Sequence, residues 1–476
     1  MRHERSHTKV IATIGPATRN KEILEKLIHE GVDVFRINLS HDTHQEHLKT
    51  IRYLNELNEE LESSVAILGD LQGPKLRVGD MENDQVLLDD GQSFSFVSTP
   101  CTGTTEKAYL SYEKLAADVT IGERILVDDG KLVFEVTGSN KTDAVTCKVL
   151  AGGTLSSKKG VNLPHTKVSQ PSLTEKDIRD AKFLLDHQVD WIALSFVRKE
   201  QDILDLRKII DAHPGNAMIV AKIEKPEALE EIDGIISASD AVMVARGDLG
   251  VEVDFHKVPL IQKDIIKKCH RKSKPVIVAT QMMESMISNP TPTRAEANDV
   301  ANAVLDGADT VMLSGETSVG KYPVETVRNM QLIIDSTETE EYIYNKGHVS
   351  PPSAKNFLAD SICLSAVQLA KQVNAAAIVS LTHSGFTAIR ISSHRPKAPI
   401  FTFTMNRDLI NDLSLVWGVR AYYFGECSNI NDYVVYTEEF LVSQNLLKKG
   451  DLVVHVGSIP ILERGKTNML KLTRVS

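Results

Sequence analysis

Lys222 and Glu224 stand two residues apart at the end of one apolar run, and Asp248 follows Arg246 and Gly247 at the end of the next, all within residues 218–252. Two carboxylates from neighbouring strand ends supply hard oxygen ligands for one Mg2+ or Mn2+ ion. A lysine beside a metal and a phosphate neutralises charge that develops during phosphoryl transfer. Solvated capping acids are the structural alternative for Glu224 and Asp248. Gly247 permits close backbone approach, and amides opening a following helix can hold a carboxylate. The set suits a small anionic substrate held on a divalent cation.

Other polar residues also fall where apolar runs stop. Arg36 and Asn38 share one face of VFRIN, where a guanidinium fork holds a phosphoryl group and an amide orients an oxygen or a cation. Asp70 ends VAILGD and opens DLQGPKLR, in which Lys75 and Arg77 add positive charge; an interdomain turn is the plainer reading. Thr280 ends VIVAT and offers a hydroxyl to substrate or an N-cap to a helix. Ser314 and Glu316 in SGET either organise water for proton transfer or cap a helix.

These residues need a rim to collect on. VIATI (10–14), VFRIN (34–38), VAILGD (65–70), WIALSF (191–196), MIVAKI (218–223), AVMVARG (241–247), VIVAT (276–280) and TVMLSG (310–315) read as eight buried parallel strands, interleaved with amphipathic helices at 21–29, about 43–61 and 174–187. Eight such units close a (β/α)8 TIM barrel, whose C-terminal strand ends form the active face. Between about Gly73 and His165, short alternating runs separated by Gly, Asp and Asn predict an inserted β-rich domain. From about Ser350 a helix, AAAIVSLT, PIFTFT, YYFGE and DLVVHVG predict a separate C-terminal α/β domain. The expected division is 1–72 and 166–349 for the barrel, 73–165 for the insertion and 350–476 for the C-terminal domain.

A formal net charge of -10 argues against a general nucleic-acid or acidic-membrane surface. Five scattered cysteines without a CxxC pair fit a reducing compartment. The start MRHERSHTKV lacks a signal-peptide apolar core, and no apolar run approaches a membrane span, so a cytoplasmic protein is expected.

TIGPAT, RINLSH, DLQGPKLR, KKGVNLP, AKIEKPEAL, ARGDLGVE, ATQMMESMI and PTPTRAEANDVANAVLDGADTVMLSGETSVGKYP together resemble the pyruvate kinase family across essentially the whole chain. That resemblance implies transfer of the phosphoryl group of phosphoenolpyruvate to ADP, then protonation of the enol to give pyruvate and ATP. It implies Glu224 and Asp248 as ligands of Mg2+ (or Mn2+), Lys222 and Arg36 on the phosphoryl group, and the Gly247 and Asp248 amides with Thr280 on the substrate carboxylate. Asn38, His41, Arg77 and Lys159 match positions of phosphate or nucleotide handling, and Ser314 and Glu316 a rim network for enol protonation. A homotetramer is implied, with the insertion closing over the barrel mouth.

Two departures from the family pattern bear on regulation and cofactors. Leu71-Gln72 and Lys75 stand where many members carry Thr-Lys and Glu, the arrangement that accompanies a K+ requirement. Lys75 is therefore expected to replace the cation, with K+ not required; a retained monovalent site at Asn38, Ser40, Asp70 and Leu71 is the alternative. Thr382, His383, Ser384, Gly385 and Thr387 form a turn suited to a phosphate nest or a helix cap, where the family often binds a phosphorylated effector. Phe386 replaces a frequent basic residue, so a sugar monophosphate or nucleotide is expected rather than a sugar bisphosphate. A metal-dependent lyase or aldolase on the same rim, and a silent metabolite sensor, are the competing functions.

Overall fold

The computed structural model describes residues 6–164, 166–425, 429–460 and 467–476. Eight parallel strands close the barrel in sequential order: β1 (Lys9–Thr13), β2 (Val34–Asn38), β3 (Ala66–Asp70), β4 (Trp191–Leu194), β5 (Met218–Ile223), β6 (Ala241–Ala245), β7 (Val276–Ala279) and β8 (Thr310–Leu313). Closure is made by β8 on β1, with Lys9 opposite Thr310 and Ala12 opposite Leu313. Alternate residues of these buried strands face two cores. Ile11, Val34, Leu68, Val220, Met243 and Ile277 fill the interior, whereas Val10, Phe35, Ile67, Ile219 and Val242 pack outward against the helices.

The helices begin where their capping residues require. Thr43, Thr174 and Thr293 each accept an amide at the third helical position, and Glu46, Asp177 and Glu296 return the bond. The helix Lys21–His29 coincides with the predicted range.

Several predicted strands are shorter than their apolar runs suggest. The fourth stops at Leu194, because Phe196 turns to a φ of 54°. The sixth stops at Ala245, and Arg246-Gly247-Asp248 open the helix Arg246–Glu252 instead of ending the strand. The seventh and eighth stop at Ala279 and Leu313. Two helices, Pro226–Glu230 and Ile232–Ala238, join β5 to β6. Ser195 and Phe196 after the fourth strand are buried, whereas Arg246, Gly247, Thr280, Ser314 and Gly315 after the other three are half-buried polar or glycine turn residues.

The insertion leaves after β3 and forms a seven-stranded sheet that includes Leu76–Arg77, Arg124–Val127, Leu132–Ser139, Ala144–Ala151 and Gly160–Asn162, plus the pair Gln85–Leu88 and Gly153–Ser156. Phe94, Phe96 and Phe134 pack edge to face or tilted in its core. Its expected last residue, 165, lies outside the described residues. The C-terminal domain is a five-stranded sheet in the order Val419–Tyr423, Ile400–Thr404, Ala377–Leu381, Leu452–Gly457, Met469–Arg474, the last strand antiparallel. The strand predicted at YYFGE therefore starts earlier, at Val419.

This domain docks on the barrel floor. Leu415 joins the interior barrel cluster, its carbonyl accepts from Thr310 Oγ1 at 3.0 Å, and Ser414 Oγ donates to Ser64 O at 2.6 Å. No described helix is long and apolar enough to cross a membrane.

Candidate active site

The ends of β2, β3 and β5 bring four predicted residues, Arg36, Asp70, Lys222 and Glu224, into one network. Arg36 Nε donates to Asp70 Oδ2 at 2.7 Å, and its Nη1 donates to Thr13 Oγ1 at 3.1 Å. Lys222 Nζ reaches Asp70 Oδ1 at 3.1 Å and Glu224 Oε1 at 3.0 Å. Asp70 is 1% exposed and Glu224 1% exposed, so each carboxylate depends on these partners.

The electrostatics follow from burial against pairing. Burial works against the Asp70 carboxylate, yet Lys222 and Arg36 hold its pKa below the ordinary value. Burial likewise works against the Lys222 ammonium, and Asp70 and Glu224 outweigh it, raising the pKa. Lys222 is thus a fixed cation rather than a base. Glu224 moves the other way: burial raises it, with Asp248 adding to the rise and Lys222 opposing.

Ser195, which carried no sequence signal, completes the network. It accepts from Lys222 Nζ at 2.7 Å and donates to Leu71 O at 2.7 Å. The amide of Phe196 donates to Glu224 Oε2 at 2.8 Å, so the early stop of β4 orients that carboxylate.

A second group gathers beside the first. Gly247 N donates to Thr280 Oγ1 at 2.7 Å, and Thr280 Oγ1 donates to Ala279 O at 2.5 Å. Thr280 is therefore not an N-cap; it is a β-branched residue held at a φ of 69°, a conformation that costs energy and persists only where neighbours impose it. Arg246 imposes it, donating through Nη2 to Thr280 O at 2.7 Å while Nη1 donates to Asp299 at 2.8 Å. Arg246 was missed because its partner Asp299 lies 53 residues away. The Gly247 amide expected to receive substrate is engaged by Thr280 instead. Lys75 Nζ lies 3.6 Å from Asp248 Oδ1, joining the first turn of the insertion to this group.

The rim residues of β8 divide. Glu316, 2% exposed, accepts from Ser314 N at 2.7 Å and Met283 N at 3.1 Å. Both oxygens receive amides, which is the capping alternative. Ser314 Oγ is buried without a hydrogen-bond partner among the described residues.

The remaining candidates lie outside these networks. Arg77 lies opposite Gly160 on adjacent strands of the insertion, and Lys159 immediately precedes that strand; Arg77 Nη1 donates to Lys158 O at 3.2 Å and Lys159 Nζ pairs with Asp128 at 2.8 Å. Among the described residues no hydrogen bond or ion pair joins them to Lys222. His41 is exposed in the turn after β2, where Asn38 Oδ1 accepts from Ser40 N at 3.1 Å. In the C-terminal domain Thr382 Oγ1 accepts from Gly385 N at 3.0 Å, and Thr387 Oγ1 pairs with Thr467 Oγ1 at 2.8 Å in a buried contact. Thr387 is thus engaged inside the domain, and His383 and Ser384 are the exposed members of that turn.

Among the described residues no cluster of three or more His, Cys, Asp and Glu is placed to hold a metal ion. Glu224 and Asp248 form a pair, and a pair suits Mg2+, which commonly keeps waters and substrate oxygens beside one or two carboxylates. Burial raises Glu224, with Asp248 adding to the rise, and a divalent cation between the two carboxylates would offset both.

Residues 5–327 match the family described as "Pyruvate kinase, barrel domain" and residues 360–473 the family described as "Pyruvate kinase, alpha/beta domain". Pyruvate kinase 2 of Synechocystis sp. is 43% identical over 98% of this chain and 78% of its own length, and pyruvate kinase of Geobacillus stearothermophilus is 42% identical over 98% and 80%. A crystal structure of a pyruvate kinase from Cryptosporidium parvum superposes with a TM-score of 0.93 at 36% identity, covering 99% of this chain and 96% of that one. With both of its family matches and its whole-chain relatives agreeing, the chain belongs to the pyruvate kinase family.

Proposed function

We propose that this chain transfers the phosphoryl group of phosphoenolpyruvate to ADP and protonates the resulting enol, yielding ATP and pyruvate. Family membership over nearly the whole chain supports the reaction, and the contacts of Lys222 with Asp70 and Glu224 carry the assignment of the site. Lys222, kept cationic by two buried carboxylates, stabilises charge on the phosphoryl group as it moves. Arg36, anchored through Nε and Nη1, orients that group from the neighbouring strand.

Glu224 and Asp248 would hold a divalent cation, Mg2+ with Mn2+ as a substitute, which when bound supplies Lewis-acid neutralisation of phosphoryl and enolate oxygens. Thr280 and the Asp248 amide receive the substrate carboxylate, with Arg246 fixing the Thr280 turn. Ser314, whose hydroxyl is buried and has no hydrogen-bond partner among the described residues, handles the proton of the enol step, and Glu316 positions it through the backbone. Arg77, Lys159, His41 and Asn38 serve the nucleotide when the insertion closes over the mouth and excludes water.

K+ is not required in this reading. Asp70 is taken by Arg36 and Lys222, Leu71 O by Ser195 and Asn38 Oδ1 by Ser40 N, so these candidate monovalent-ion oxygens are engaged. The domain division 1–72, 73–165, 166–349 and 350–476, a cytoplasmic setting and a homotetramer are proposed with it. Phe255 and Leu260, 81% and 71% exposed, support self-association. A phosphorylated effector is placed at Thr382–Gly385.

The experiment mixes purified protein with phosphoenolpyruvate, ADP and Mg2+ and measures ATP and pyruvate. Equal accumulation is expected. Carbon–carbon cleavage or condensation of pyruvate without ATP supports the lyase, and ligand binding without turnover supports the sensor.

A further inference from the structure

Glu252 is a buried acid with no part in the steps above. One of its oxygens carries both of its contacts: Lys225 Nζ donates to Oε1 at 2.6 Å, and Asn162 Nδ2 donates to the same atom at 2.8 Å. Oε2 is buried without a hydrogen-bond partner among the described residues. Glu252 also closes the helix Arg246–Glu252, where the negative end of the helix dipole opposes a carboxylate. Burial, an unsatisfied oxygen and an unfavourable helix end all cost stability, so stability does not explain an acid at this position.

The acid joins the segments that carry Glu224 and Asp248. Lys225 directly follows Glu224, and Asp248 lies one turn earlier in the helix that Glu252 ends. Pro226 confines Lys225 to extended backbone, here at a φ of -122° and a ψ of 145°, so the link from Lys225 to Glu224 is stiff. The Lys225 side chain is 11% exposed and that of Glu252 0%, so water screens the pair little. The third member, Asn162, ends the insertion's strand Gly160–Asn162 and is buried. A single carboxylate oxygen thus ties the end of β5, the helix bearing Asp248 and the insertion together.

We propose that Glu252 is a positioning residue: through Lys225 it sets the spacing of Glu224 and Asp248 for the divalent cation, and through Asn162 it passes the occupancy of that pair to the insertion. This role rests on the reading of those two carboxylates as the metal pair. Groups that hold ligand carboxylates in place commonly carry about 10-fold or more of metal affinity. Positioning and plain electrostatics predict opposite signs at Lys225. Removing a nearby cation by itself strengthens the attraction for a divalent ion. Releasing Glu252 from Lys225 instead lets the two carboxylates drift apart and weakens binding.

The test is Mn2+ binding to the whole protein without substrate, followed through the electron paramagnetic resonance of the free ion. Glu252→Gln and Lys225→Met should each weaken Mn2+ about 10-fold or more, and Lys225→Arg should retain most of the affinity. Combining Lys225→Met with Glu252→Gln removes both buried charges at no net change of charge, so it folds even where a single variant does not. That double variant should bind little more weakly than either single one. Mn2+ should also slow hydrogen exchange at the Gly160–Asn162 amides in wild type, and not in Asn162→Ala. Unchanged Mn2+ affinity in the double variant, or tighter binding in Lys225→Met, overturns the spacing role. Exchange that ignores Mn2+ in wild type, or responds equally in Asn162→Ala, overturns the link to the insertion. Glu224→Gln and Asp248→Asn keep the two levels apart. Binding lost in these but kept in the Glu252 and Lys225 variants refutes the positioning role alone, and binding kept in all of them refutes the metal pair itself.

Discussion

Lys222 Nζ lies 3.0 Å from Glu224 Oε1, at a strand end where the lysine side chain is 12% exposed and the carboxylate 1%. The cation that is to meet the phosphoryl group and the carboxylate that is to hold the metal are therefore one ion pair, completed on the lysine's other side by Asp70. Removing either member leaves a buried charge without its partner.

Lys222→Ala should lower turnover by about 10²–10³-fold, the loss typical of a removed transition-state donor, and change phosphoenolpyruvate affinity less. Steady-state kinetics with a parallel thermal-unfolding scan separates this from misfolding. Near-normal turnover in the folded, metal-saturated variant removes the role.

Lys75 should make K+ unnecessary. Initial rates in potassium-free buffer with a bulky organic cation, at matched ionic strength, should be high and little raised by K+. Lys75→Glu should create or strengthen a saturable K+ dependence. Large K+-specific activation of the wild type contradicts the assignment, because the 3.6 Å approach of Lys75 to Asp248 is then a surface pair near the hinge.

A sugar monophosphate or a nucleotide should change half-saturation by phosphoenolpyruvate, and Thr382→Ala and Ser384→Ala should each blunt the response. Thr382 closes the turn by accepting from Gly385 N, whereas Ser384 is exposed to a ligand. Identical responses in wild type and both variants, or no response to any candidate, rejects the turn as the effector site.

Asp412 should make the free protein less stable as pH rises. Its folded pKa, about 8, lies above the ordinary 3.8, so between those values the folded state holds a proton that the unfolded chain has released. Stability attributable to the protonated group is therefore full below about pH 4 and is lost progressively up to about pH 8. Asp412→Asn should match the wild-type Tm near the acid end of that window and exceed it by a few degrees at the alkaline end. A constant difference across the window contradicts the shift.

The barrel and the appended domains were legible because buried parallel strands read as continuous apolar runs, and the insertion breaks that rhythm with period-two segments. Lys222, Glu224, Asp248 and Arg36 were legible because charged residues at the ends of such runs have few structural reasons to be there. Strand ends were less legible, since Arg246–Glu252 becomes helix and Thr280 turns to a positive φ through contacts made in three dimensions. Ser195 and Arg246 escaped for the same reason: a serine inside WIALSF and an arginine before Gly247 show their roles only beside Lys222 and Asp299. The Glu316 side chain reads in the sequence as serving proton transfer or capping, and in the fold it accepts the amides of Ser314 and Met283.

The most direct measurement follows phosphate-labelled phosphoenolpyruvate with ADP and Mg2+, partitioning the label between ATP and inorganic phosphate in wild type, Lys222→Ala and Glu224→Gln. The account predicts that wild type moves nearly all consumed label to ATP with one pyruvate per ATP, that both variants are severely slowed while still folded, and that chelating the metal stops transfer. Label appearing mainly as inorganic phosphate in the wild type, or transfer that continues at the wild-type rate in both variants, would contradict it.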